Sequence, residues 1–407
     1  MNDSSFVSAA DIVGERIGPL ADHLDAYVAL VKAQGFSPGY IRHHIWLLAR
    51  FSQWLQRGHR QLRALNESVV EQFFRARRRR RGGEPAILIR MLELLRRRGV
   101  TLEKRQPPLS LKEKVVAEFR RYLLKERGLS AKTAFGYGPF INRFLSETFR
   151  DGRLSFAHLR APDVTDFVRR HAYNAGRAYA RHLVQALRSF LRYLRLQGKI
   201  KTDLEGCVLS VAAWSLASLP KFIPAEAVEK VLASCDRDTA NGKRNHAILL
   251  LLARLGLRAG EVIHLNLDDI DWDNGTITFH AKGNRQSRMP LPAEVGEALA
   301  LYLQVRRHCA CRRVFLCDGA PVRGFSNSNG ISTLVRRALE RAKVEAAHTG
   351  AHLFRHSLAT EMLRKNASLD EIGEVLRHKS PDTTAIYAKV DIAALRRLAL
   401  PWPGGAR

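Results

Sequence analysis

Acidic side chains are scarce in this chain: 39 aspartates and glutamates face 67 lysines and arginines across 407 residues, leaving a formal charge of +28. Cysteine is scarcer still. The five, Cys207, Cys235, Cys309, Cys311 and Cys317, are odd in number and unpaired in spacing, which excludes a disulfide framework. His308-Cys309-Ala310-Cys311 with Cys317 is the nearest approach to a metal-ligand pattern. A C-x-C without a matching second pair is weak evidence, so reduced, non-ligating thiols and no metal are expected. Long apolar runs are missing too. The longest, Ala247 to Ala253, is far short of a bilayer span, and Met1 to Leu20 has no apolar signal-peptide core. A cytoplasmic, nucleoid-associated protein with no membrane partner is expected.

What is abundant is arginine. Residues 1–110, 111–200 and 201–407 carry net charges of +9, +12 and +7, so +21 of the excess lies in the first half. Arg77 to Arg81 and Arg96 to Arg98 are its densest runs, and the planar guanidinium fork suits phosphate better than a lysine point charge. A polyanion is the natural partner, and double-stranded nucleic acid leads. A solvated charged face or a membrane-surface patch is the plainer reading of such runs.

The length fits two or three domains. Residues 20–105 and 112–200 read as one helical module written twice. In the first, an apolar stripe through Leu24, Tyr27, Val28 and Val31 meets a turn at Gly35-Phe36-Ser37-Pro38, and a second stripe follows through Ile41, Ile45, Leu48, Phe51 and Leu55. In the other, Phe119, Leu123 and Leu124 lead to Gly128-Leu129-Ser130, then Tyr137, Ile141, Phe144 and Leu145. The offset is 93 residues, becoming 94 where Val70 and Phe73 match Val164 and Phe167. Each copy ends in an apolar-basic helix, at 87–98 and 180–196. Any two helix pairs joined by a glycine turn share part of this pattern.

Pro220 to Pro224 marks the next boundary. A helix over 225–234 and a long buried one over 245–255 follow, the latter stopping at Gly256 with Arg258 immediately after. Between Leu265 and Pro292 the period alternates. Strands at 270–272 and 276–280 flank Asp273-Asn274-Gly275, a strong hairpin signal, and a third strand over 286–291 puts Lys282 at a hairpin tip. Farther on, His352 and Arg355 stand three apart in a helical stretch, predicted to share a polar face. Ser368 and Glu371 form a capping box for a helix ending near His378. Ser380-Pro381 opens another, with Tyr387 about two turns in. The segment 391–400 reads as a short apolar-basic helix.

Each of these residues has a structural explanation by itself. Arg258 could cap carbonyls, Lys282 could be solvated, His378 could answer a helix dipole, and Tyr387 could be core. Their conjunction in one domain of a very basic chain is what points to chemistry.

Residues 220–395 resemble the catalytic domain of the tyrosine recombinase (phage-integrase-type) family. Gly256-Leu257-Arg258-Ala259-Gly260-Glu261 resembles its first-arginine box, Lys282 its hairpin lysine, and His352-Leu353-Phe354-Arg355-His356 its H-x-x-R box. Leu376-Arg377-His378, with Tyr387 nine residues later, resembles its terminal box, except that Arg377 stands where a glycine is common. The resemblance implies a mainly α fold with a small β-sheet: two helical DNA-binding modules, then a mixed α/β catalytic domain. Expected divisions are 1–107, an N-terminal helical module and possible duplicate of the core-binding domain; 108–200, the SAM-like core-binding domain; 201–219, a linker; 220–395, the catalytic domain; and 396–407, a tail.

It further implies site-specific recombination or integration on double-stranded DNA for a mobile element, without metal or cofactor, in a tetrameric synapse to which 391–400 donates a helix. The residue types suit that chemistry. Arg258 and Arg355 would bind the charge gathered on the phosphate in the transition state. Tyr387, aided by His352, would attack and be joined to the 3′ phosphate. Lys282 would protonate the departing 5′ oxygen, His378 would hydrogen-bond the phosphate, and Glu261 would steady its helix or Arg258. A type IB topoisomerase-like relaxing enzyme shares this chemistry; a catalytically silent DNA-binding accessory protein is the alternative of another class, and the filling of all six positions counts against it.

Overall fold

The computed structural model describes residues 18–77, 81–103, 108–150, 153–173, 175–210, 220–281 and 285–390. Two compact units divide the chain: residues 105–217 form one, and those before and after them the other.

The unit at 105–217 contains helices α5 (Leu111–Lys125), α6 (Ala131–Thr148), α7 (Ala161–Ala172) and α8 (Arg177–Leu196), with a 3-10 turn at Phe156–His158 between the second and third. Its starts are locally written. Ser110 Oγ accepts from the Glu113 N–H while Glu113 accepts from the Ser110 N–H at 2.8 Å, a reciprocal cap that opens α5. Phe119, Phe144, Phe167 and Phe190 fill the core.

The other unit begins with the same succession of elements. Helices α1 (Leu24–Ala33), α2 (Pro38–Arg57), α3 (Glu67–Arg75) and α4 (Glu84–Arg97) carry a 3-10 turn at Leu62–Ala64 between the second and third. Two phenylalanines matched by the 93/94-residue offset pack alike in both parts. Phe51 meets Phe73 edge-on at 5.0 Å between ring centroids, and Phe144 meets Phe167 edge-on at 5.1 Å. Gly35 and Gly128, also 93 apart, both take a left-handed φ, +78° and +58°, to reverse the chain between helices. This core, from Leu20 to Leu95, is distinct from the one that follows Pro220. The Val322 N–H donates to the Gln34 carbonyl at 2.9 Å, joining the two parts of the unit.

After Pro220, α9 (Ala225–Ala233) and α10 (Ala240–Arg254) lead to α11 (Ala259–His264). Helix α10 starts five residues before the apolar run suggests, because Thr239 caps the Gly242 N–H. Residues Ala247 to Ala253 are buried on every side of it, which is why its sequence shows no polar stripe there. Strands β1 (Ile270–Asp271), β2 (Thr276–Ala281) and β3 (Arg285–Pro290) form an antiparallel sheet in that order. Thr276 pairs with Pro290 and Ala281 with Arg285. Ile277 and Phe279 face the core, and Gly275 closes the first turn at φ +58°. Helices α12 (Ala293–Val305), α13 (Asn329–Ala342), α14 (His352–Arg364), α15 (Leu369–Leu376) and α16 (Pro381–Thr384) follow. After Thr384 the chain tightens into a 3-10 turn at Ala385–Val390, so Tyr387 sits on that turn rather than on a continuous α-helix. Helix α14 packs against α10, which brings the residues after Gly256 beside Arg355. No described helix is long and apolar enough to cross a membrane.

Candidate active site

Two chain reversals and one buried helix build the site. Helix α10 ends at Gly256, whose φ is +57° and whose surroundings leave no room for a side chain: a Cβ there would lie 2.6 Å from Leu376 Cδ2. The turn delivers Arg258 to the start of α11. There Glu261 accepts the Arg258 backbone N–H at 2.9 Å on Oε2 and its guanidinium at 2.9 Å on Oε1. The Glu261 side chain is 5% exposed and that of Arg258 is 36% exposed.

Arg355 does not share a solvent-facing surface with His352, contrary to the helical-face expectation. It is 3% exposed, and its fork donates to the Gly256 carbonyl at 2.5 Å and to the Leu376 carbonyl. Tertiary packing surrounds α14 on nearly every side, so the local pattern could not distinguish an inward arginine from an outward one. Burial, then the neighbouring Arg258 and Arg377 charges, push the Arg355 pKa down to about 10. At neutral pH it stays protonated, a cation fixed between two carbonyls.

His352 is exposed at the first position of α14. Desolvation, with Arg355 and Arg258 close by, holds it below the ordinary histidine range. Beside it a cleft of about 360 Å³ is lined by Ala259, Ser332, Arg336, His348 and His352 among others. His378, just past α15, lies 2.7 Å through Nδ1 from Thr384 Oγ1 and stacks on Tyr387 at 6.4 Å, the rings 6° from parallel. Burial first and then Arg355 and Arg258 push His378 to about 4. Tyr387 is 1% exposed, and its hydroxyl lies 2.9 Å from Nδ1 of His356. Burial pushes its pKa up to about 12 against the pull of Arg355 and Arg258.

Arg258, His352, Arg355, His378 and Tyr387 are therefore brought into one electrostatically coupled cluster. Lys282 lies outside the described residues, as does the segment 391–400. Three residues join the cluster that the motif reading did not assign a part. His356 holds the tyrosine hydroxyl, and its place directly after Arg355 was the available signal. Thr384 holds His378. Arg377, noted only as a substitution for glycine, takes the left-handed conformation a glycine would (φ +55°, ψ +49°) and pairs with Glu261. A non-glycine residue there costs roughly 1–2 kcal/mol. Among the described residues no three His, Cys, Asp or Glu side chains converge as a metal-ligand group, and all five cysteines are free thiols.

The fold is shared with solved recombinases. A XerH site-specific recombinase, in a post-cleavage complex with a palindromic difH substrate, superposes with a TM-score of 0.55 at 21% identity over 70% of this chain and 83% of that one. In sequence, residues 221–393 match the phage integrase family, and residues 116–198 match its N-terminal SAM-like domain. The protein named integrase/recombinase y4rA of Sinorhizobium fredii (strain NBRC 101917 / NGR234) is 44% identical over 395 residues, 96% of each chain. The tyrosine recombinase XerC of Bacillus pumilus (strain SAFR-032) is 29% identical over 304 residues, 70% of this chain and 95% of the relative. The chain belongs to the phage integrase family of tyrosine recombinases, enzymes of site-specific recombination that cleave and rejoin DNA.

Proposed function

We propose that this recombinase cuts duplex DNA through a covalent 3′-phosphotyrosine at Tyr387, in the service of a mobile genetic element. One observation carries the reading: a buried tyrosine on a short 3-10 turn lies within the field of two arginines and against a histidine. Arg258 and Arg355 hold the non-bridging oxygens of the scissile phosphate, where charge accumulates as the phosphorus becomes pentacoordinate. The Tyr387 oxygen attacks, losing its proton with help from His352. The bond to the 5′ oxygen breaks, and that oxygen takes its proton from Lys282. His378 donates to the phosphate. Attack by a 5′ hydroxyl of a partner strand reverses the sequence and restores a phosphodiester, so bond energy is conserved and neither ATP nor a metal ion is called for. In the arrangement described here the hydroxyl rests on His356, so cleavage requires the 385–390 turn to move it toward the phosphate.

Residues 108–200 act as the core-binding module and 1–107 as a second copy of it, which also contacts DNA. The repeated element order and the matched phenylalanine pairs support the duplication. The face of α2 supports the contact. It carries no acidic residue over twenty positions. It exposes Tyr40 and Trp46, with Arg50 stacked 4.8 Å over the Trp46 ring and Arg42 exposed nearby. Strand exchange takes place in a tetramer assembled on DNA, at the nucleoid in the cytoplasm.

The test is a suicide-substrate assay: nicked duplexes carrying the ends of the element that encodes the protein, incubated with it in EDTA. A protease-sensitive covalent adduct that disappears in Tyr387→Phe is expected. Adduct formation on a single unpaired site with general supercoil relaxation would instead place the protein with type IB topoisomerases. Tight salt-dependent binding without any adduct would reduce it to an accessory DNA-binding protein.

A further inference from the structure

Arg377 is an unusual residue for its position. It closes α15 in the left-handed region, where glycine is favoured, with its N–H donating to the Glu374 carbonyl at 2.9 Å. Its side chain is nevertheless 10% exposed and aimed inward. One terminal nitrogen donates to the Val375 carbonyl at 3.2 Å and reaches the Leu255 carbonyl at 3.5 Å. The other donates to Glu261 Oε2 at 3.2 Å. The guanidinium also stacks 5.4 Å from the Phe279 ring centroid, and its Nε has no hydrogen-bond partner among the described residues. A strained backbone carrying a buried charge points to a task beyond ending a helix.

Glu261 shows what that task is. Its carboxylate lies between two arginines of unequal freedom. Arg258 reaches solvent and can turn toward a DNA phosphate, whereas Arg377 is anchored by carbonyls and Phe279. If Arg258 turned its guanidinium from Glu261 to a phosphate, the carboxylate would remain buried, and a lone buried anion is costly and repels a second one. Burial alone would raise the Glu261 carboxyl. The Arg258 N–H, together with the Arg377 and Arg258 guanidinium groups, outweighs it and keeps the group below the ordinary carboxylate range.

We propose that Arg377 is a positioning residue: it holds Glu261 charge-compensated, and so frees the Arg258 guanidinium to engage the scissile phosphate. The inference rests on the reading of Arg258 as a phosphate-binding residue. Arg377 does not touch the phosphate itself. It sets the strength with which Glu261 competes for Arg258.

The test uses the full chain and the suicide duplexes described above, with single-turnover adduct formation followed at saturating DNA and affinity measured separately. Arg377→Gly suits the left-handed backbone and removes the whole side chain, the guanidinium with its stem. The adduct rate is expected to fall by about 10- to 100-fold, as for a misplaced reacting group, with affinity changed by less than about threefold. The discriminating variant is Arg377→Gly with Glu261→Gln. Removing the uncompensated charge is expected to return the rate to within about threefold of Glu261→Gln alone, whereas a purely structural role for Arg377 would not respond to the charge at position 261. A wild-type rate in Arg377→Gly, or a loss that Glu261→Gln does not relieve, overturns the proposal. Should Arg377→Gly show no cooperative melting, Arg377→Lys keeps a cation beside Glu261 while giving up the carbonyl bonds. A rate within about tenfold of wild type supports the proposal, and a loss as deep as that of Arg258→Ala overturns it. If the unsubstituted chain forms no adduct, the functional reading falls. If it does, and Arg258→Ala abolishes it while Arg377→Gly leaves it unchanged, only this proposal falls.

Discussion

The Tyr387 hydroxyl and Nδ1 of His356 lie 2.9 Å apart, and the tyrosine ring is 1% exposed. The group assigned as the nucleophile is thus stored as a neutral phenol in a buried hydrogen bond. Tyr387→Phe is expected to abolish the covalent adduct while leaving DNA affinity within about twofold, and to cost about 1 kcal/mol of stability through the lost hydrogen bond. His356→Leu leaves the hydroxyl buried without that partner and is expected to cost more, about 1–3 kcal/mol. Urea unfolding of the two variants beside the parent chain measures both costs.

The shifted groups set opposite pH limits. His356 and His378 both titrate at about 4 in the folded chain, below the unfolded value of 6.5. Their contribution is complete above about pH 6.5 and is lost as pH falls through about 4, because the unfolded chain binds the protons first. Tyr387, raised from 10.0 to about 12, contributes fully below about pH 10 and loses that contribution as pH rises through about 12. Denaturant midpoints between pH 4 and 7 are expected to fall on the acid side, and His356→Gln is expected to flatten that fall. His44, also at about 4 in the N-terminal core, keeps part of the slope in the variant.

Gly256→Ala combines a left-handed backbone with a Cβ lodged against Leu376 and Leu358. Overpacking of this kind costs about 1–3 kcal/mol. Because the Gly256 carbonyl also anchors Arg355, the adduct rate is expected to fall along with the melting temperature. A variant that melts lower yet cleaves at the parental rate would separate the turn from the site.

For the N-terminal module, the double variant Arg42→Ala with Arg50→Ala tests phosphate contact directly. Each arginine that neutralises a phosphate adds about 0.9 to the slope of log affinity against log salt, so a flattening of about 1.8 is expected if both touch the backbone. An unchanged slope would assign this face to something other than DNA.

Much of the architecture was legible because it is written locally. The Ser368–Glu371 capping box, Ser380-Pro381 at a helix start, and Asp273-Asn274-Gly275 at a hairpin each act over four residues or fewer, and the structure follows them. The likeness of the two helical modules was legible because Phe51 and Phe73 are spaced almost as Phe144 and Phe167 are, and each pair packs edge-on. The ordered boxes likewise placed Arg258, Arg355, His378 and Tyr387 before any fold was known.

What local pattern could not decide was direction and partnership. Arg355 follows His352 by three residues, yet it faces inward because carbonyls 99 and 21 residues away accept its fork. Arg377 looked like a mere replacement for glycine until packing brought it to Glu261, 116 residues earlier in the chain. His356 acquired its role through a contact with a residue 31 positions on. The sequence by itself determined most of the elements, their order and the side chains proposed to react, since the elements depend on neighbours within a turn and the candidates on short ordered motifs. Only the tertiary structure decided which charges are buried together, because desolvation and pairing depend on what distant segments bring against each group.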